Sequence, residues 1–177
     1  MRKPLNPTII DIEASGFGSH SYPIEIGVVK GNGDRYCALI APQPEWIHWC
    51  ARAQEVHGIS RELIETRGRE PYDICMELNH FLGATTTYSD AWTHDSPWLN
   101  RLFYAARVNR SFYLSTIEMI ATEPQLLLWD ETKKSLEKRL DIQRHRASGD
   151  AYLIQQTYLE TRRLIGMRPL AVRRTGR

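Results

Sequence analysis

The chain has 177 residues, 42% of them apolar and 25% charged, and a net charge of +2. That length fits one domain with a full core, and the composition is that of an ordinary globular protein, not a disordered or fibrous one. No run of about 18 apolar residues exists to span a membrane, and the charge is too small to argue for a partner. The N-terminal MRKPLNPTIID lacks the apolar region of a signal peptide. Cys37, Cys50 and Cys75 show no zinc spacing, so reduced thiols and a cytoplasmic location are expected.

PTIIDIEA reads as a first strand, apolar enough to be central. A short Gly/Ser loop leads to YPIEIGVVKG, a second strand, and GNGD at 31–34 signals a tight turn into RYCALIAP, a third. Such closely spaced strands imply an antiparallel meander. Residues 45–57 carry weak helical spacing, and Ser60 caps a short helix. In PYDICMELNHFLG, Ile74, Leu78, Phe81 and Leu82 recur at helical spacing between Pro71 and Gly83. ATTTYSDAW reads as strand four. A helix opened by Asp95 follows, with Pro97 in its first turn and Trp98, Leu99, Leu102, Phe103 and Ala106 as its apolar stripe. SFYLST reads as strand five and WDETKKSLEKRL as a charged helix. A last helix spans Ala147 to Ile165 and has ended by Pro169. The result is a mixed α/β domain over residues 1–166 and a basic tail over 167–177. The final stretch RRLIGMRPLAVRRTGR holds six arginines. It either touches phosphates or is a solvated, frayed terminus.

Three groups of residues could carry chemistry. Asp11 and Glu13 are two apart on strand one, so they point to one face. Two such charges about 4 Å apart repel by roughly 4 kcal/mol at an effective dielectric near 20, and something must offset that cost. Asp95 opens a mid-chain helix, with Asp90 as a nearby competitor. His145 and Asp150 stand five apart where the last helix begins. Each has a plain structural reading: a solvated strand end, a helix cap, a favourable helix-dipole position, an exposed loop imidazole.

As a set, these residues resemble the DEDD-type 3′–5′ exonucleases, in the histidine-containing branch that includes proofreading exonuclease domains, ribonuclease T and oligoribonuclease. The motifs that carry the resemblance are IIDIEASGFG with Asp11 and Glu13, PIEIGVV, EVHGIS, SDAWTHDSPWLNRLF with Asp95, and HRASGDAYL with His145 and Asp150. Ser89-Asp90-Ala91-Trp92 depart from the Ala-His-Asn-Ala common in relatives, and Ser115-Thr116 from Asp-Thr. The resemblance implies a ribonuclease H-like mixed five-stranded sheet flanked by helices. It implies hydrolysis of phosphodiester bonds at the 3′ end of single-stranded or frayed DNA or RNA with two Mg²⁺ or Mn²⁺ ions. Asp11, Glu13, Asp95 and Asp150 would be the metal ligands, and His145 the general base. Ala14, Phe17 and His57 would meet the terminal nucleotide, and Trp92 or Trp98 would form an aromatic wall or join the core. The sequence leaves the oligomeric state open; several relatives pair up, and an exposed Trp-rich segment 45–50 could serve as the interface of a homodimer. The competing reading is a non-catalytic nucleic-acid-binding module on the same scaffold.

Overall fold

The computed structural model describes residues 6–142 and 145–167. The chain begins with β1 (Thr8–Ala14), β2 (Pro23–Val29) and β3 (Arg35–Leu39), then α1 (Ala51–His57), α2 (Arg61–Arg67) and α3 (Pro71–Leu82). It continues through β4 (Thr86–Ser89), α4 (Trp92–Ala106), β5 (Tyr113–Thr116), a 3-10 turn (Ile117–Met119), α5 (Glu123–Leu127), α6 (Trp129–Leu140) and α7 (Ala147–Met167). The five strands form one sheet in the order β3-β2-β1-β4-β5. β1, β2 and β3 are the expected antiparallel meander, and β4 and β5 join it in parallel.

β1 is central, as its apolar run requires, and alternation divides its side chains between two cores. Ile10 and Ile12 pack with Ile24, Ile26 and Val28 against α3 and α4. Ile9 faces the other way and packs with Val29, Ala151 and Ile154 under α7. Asp11 and Glu13 share the parity of Ile9 and so lie on the α7 side of the sheet. The approach of α7 is very close. A Cβ at Gly27 would sit 2.2 Å from the backbone carbon of Ala147, so no other residue fits there without moving the helix.

Several expectations need correction. Asp95 does not open its helix: α4 starts at Trp92 after Ala91, and Asp95 is its fourth residue. Pro97 lies inside the helix, not in its first turn, where it removes one i→i−4 hydrogen bond. β4 lies within ATTTYSDAW and ends at Ser89, after which the chain turns into α4. Segment 45–50 is not an exposed tryptophan surface. Trp46 is buried and stacked on Tyr22 with ring centroids 5.2 Å apart, and Trp49 is half-buried against the core. α5 was not anticipated, although Thr122 and Gln125 form a capping box at its start. Cys37, Cys50 and Cys75 are free thiols, as expected. Among the described residues, no helix is long and apolar enough to cross a membrane. The basic tail beyond Met167 lies outside the described residues.

Candidate active site

The site forms where β1 and β4 part company. Their parallel pairing covers only Thr8↔Thr87 and Ile9↔Tyr88. Beyond it, the β4 side of β1 is open, and the start of α4 takes its place. The Ile12 N–H faces the carboxylate of Asp95 and favours its ionised form. The Ser89 hydroxyl donates to Asp95 Oδ2 and also accepts the Ala91 N–H at 2.9 Å. Ser89 thus ties the end of β4 to the start of α4 and aims Asp95 inward. Asp95 is 1% exposed and does not cap α4, whose N-cap is Ala91.

Asp90 goes elsewhere. Its Oδ2 is 2.5 Å from Lys133 Nζ on α6. Asp90 thus has a protein cation, while Asp95 sits buried beside β1.

The other arm of the site comes from the turn before α7. His145 has φ +59°, a left-handed conformation that costs a non-glycine residue about 1–2 kcal/mol. Its backbone N–H donates to Asp150 Oδ2 at 2.7 Å, which closes the turn. Glu13, His145 and Asp150 each offer a ligand atom, all within 4.8 Å of one another. A single cation can bridge groups at that spacing.

Electrostatics show how tightly the acids converge. Burial first, and then the charges of Asp95, Glu13, Asp150 and Asp90, hold the Asp11 carboxyl well above its usual range. Burial pushes Asp95 up to about 7, and Asp90 adds to this while the Ser89 hydroxyl, the Ile12 N–H and Lys133 oppose it. Four elements, β1, the β4–α4 junction, α4 and α7, therefore deliver carboxylates to one place. The donor set is mostly hard oxygen, which fits a divalent cation such as Mg²⁺ or Mn²⁺.

The expected substrate residues flank these acids. The β1–β2 register shifts between Glu13 and Ala14, so a bulge lies directly after the second acid, and Ala14 is buried. Phe17 is 68% exposed, on a loop fixed at its far end. Trp98 Nε1–H donates to Ser21 Oγ at 2.8 Å, and Arg101 donates to the carbonyls of His20 and Ser21. Of the two flanking tryptophans, Trp98 is half-buried against the core while Trp92 is 42% exposed. His57 is buried at the C-terminus of α1, and its Nδ1 accepts the Ile59 N–H at 3.0 Å. Its Nε2 then carries the proton and has no hydrogen-bond partner among the described residues. Burial lowers the pKa of this imidazole, with Glu25 opposing and His145 and Arg146 assisting. His57 is thus close enough to the α7 turn to feel its charges.

Sequence reasoning missed the loop staples Trp98 and Arg101 as well as Ser89, and gave no role to Glu25 or Arg146. The helical spacing of Asp95, Trp98 and Arg101 was the available signal for the staples.

No protein-family model matches the chain, and no curated protein matches it in sequence. Solved structures match its fold. An exonuclease I from Methylocaldum szegediense aligns over 91% of this chain at 13% identity with a TM-score of 0.65. E. coli exonuclease I in complex with a dA16 oligonucleotide aligns over 90% at 12% identity and TM-score 0.62. The zinc-bound form of an E. coli exonuclease I–single-stranded DNA complex aligns over 90% at 14% and 0.62. The chain spans between 40% and 42% of the length of these three structures. At such identities the likeness is one of fold, and it bears out the mixed five-stranded, helix-flanked architecture.

Proposed function

We propose that the chain is a metal-dependent 3′–5′ exonuclease that removes nucleoside 5′-monophosphates from single-stranded or frayed DNA or RNA. The observation that carries this reading is the Asp11 carboxyl, crowded by four other carboxylates at the open end of β1. No fold-stabilising role explains such crowding, and divalent cations would relieve it. Asp11, Glu13, Asp95 and Asp150 would hold two Mg²⁺ or Mn²⁺ ions, which supply a more acidic bound water and charge neutralisation at the phosphate and leaving oxygen.

The protein side chains then have distinct tasks. Asp95, with its pKa near 7, gives up a proton as the site fills. His145 takes the proton of the attacking water, its imidazole carried on a turn held by Asp150. The buried His57 Nε2–H, unpartnered among the described residues, donates to an oxygen of the terminal nucleotide. The exposed Phe17 ring stacks on a base. The fold likeness to exonuclease I structures holding oligonucleotides supports single-stranded nucleic acid as the partner.

The test is incubation of 5′-labelled DNA and RNA oligonucleotides with the protein and Mg²⁺. Products shortened from the 3′ end in single-nucleotide steps are expected, and the two substrates together reveal the sugar preference. If neither shortens while the protein is folded and metal-replete, the reading fails. Binding without shortening would favour the non-catalytic module.

A further inference from the structure

Glu25 is 1% exposed in the middle of β2, directly across the ladder from Glu13. It is matched on both oxygens by Arg146 and by the first residue of α7. Arg146 Nε donates to Oε1 and Oε2, each at 3.1 Å, and Arg146 Nη2 to Oε1 at 2.5 Å. The Ala147 N–H donates to Oε2 at 2.8 Å, and the Cys37 thiol lies 3.7 Å from Oε1. Two residues along the same face, Gly27 supplies the space that lets the α7 backbone reach this carboxylate.

Arg146 and Ala147 directly follow His145, whose left-handed backbone needs holding in place. Glu25 grips the residues after His145 while Asp150 grips its N–H. We propose that Glu25 is a positioning residue for the candidate active site. Through Arg146 and the Ala147 N–H it fixes the His145 turn and the start of α7, and so sets His145 and Asp150 against Glu13. It touches neither the cations nor the substrate, and it deepens the exonuclease reading on which it rests.

The experiment compares wild type, E25Q, R146Q and the double variant by Mn²⁺ calorimetry, steady-state hydrolysis of a single-stranded oligonucleotide, amide exchange over residues 145–150 and thermal melting. E25Q keeps an acceptor for Ala147 but loses the charged pairing. Residues that orient a metal site from behind its ligands are worth about 10- to 100-fold, so E25Q should lose that much Mn²⁺ affinity and kcat. KM should change little, and exchange over 145–150 should quicken. The double variant should lose no more than E25Q, because both substitutions break one contact. If R146Q strips the buried carboxylate and fails to fold, E25Q and the double variant still decide. Wild-type Mn²⁺ affinity and kcat in E25Q, or a lower melting temperature without either loss, overturns the proposal. A wild type that binds Mn²⁺ but hydrolyses nothing fails the exonuclease reading alone, and calorimetry and exchange then judge Glu25.

Discussion

Glu25 and Asp11 sit on neighbouring central strands, on the same sheet face, and meet opposite surroundings. Glu25 is fully enclosed, yet a guanidinium and a backbone N–H satisfy it. Asp11 is less enclosed by its neighbours, yet the charges it feels most are those of other acids. A buried charge kept for architecture brings its counter-charge with it, because desolvation costs several kcal/mol per ion otherwise. A cluster in which acids crowd one another invites a cation from outside. The same contrast separates Asp90, paired with Lys133, from Asp95, which is buried against β1.

Substitutions can break this contrast. Asp11→Asn should lower kcat/KM by about 10³-fold or more, since a bound metal supplies several kcal/mol to the transition state and each 1.4 kcal/mol is a factor of ten. Gel-shift affinity for a single-stranded oligonucleotide should survive. His145→Ala should lower kcat by about 10²-fold with Mn²⁺ binding retained in calorimetry. Because His145 lies within ligand reach of Glu13 and Asp150, loss of Mn²⁺ binding in that variant would make it a ligand and not the base.

A third prediction concerns pH. Asp11 and Asp95 hold their protons more tightly in the folded chain than in the unfolded one, where an aspartate titrates near about 4. The metal-free protein therefore loses stability as pH climbs from about 4 through about 7. Asp11→Asn should flatten that fall, and at pH 8 it should make the metal-free protein more stable than the wild type. Denaturant melts of both proteins at pH 5 and pH 8, with chelator, would check it. The smallest effect belongs to the pair on the rim: Asp90→Asn should change kcat only a few-fold, the range of a partly exposed ion pair, while Asp95→Asn should cost far more in the same assay.

Much of this was legible in the sequence for local reasons. The apolar runs of β1 and β2 and the helical stripe of α3 each report their own burial, and the meander needed only the GNGD turn to close. The acid-x-acid of Asp11 and Glu13 could be placed on one face from strand geometry alone. What failed depended on contacts distant in the chain. Asp95 looked like a helix cap because Asp often is one. The helix instead starts three residues earlier at Trp92, and the carboxylate accepts the Ser89 hydroxyl of β4. No spacing rule links Glu25 to Arg146, 121 residues apart. The left-handed backbone of His145 follows from being held at both sides, by Asp150 and by Glu25's grip on its neighbours, and composition carries no trace of it.

The central claim is that carboxylates from β1, α4 and α7 form a nest completed by divalent cations, and calorimetric titration of the metal-free protein with Mn²⁺ at pH 7.5 tests it most directly. The account predicts saturable binding with release of protons, abolished or strongly weakened in Asp11→Asn. Absence of binding by the folded wild type, or equal binding by the variant, would contradict it.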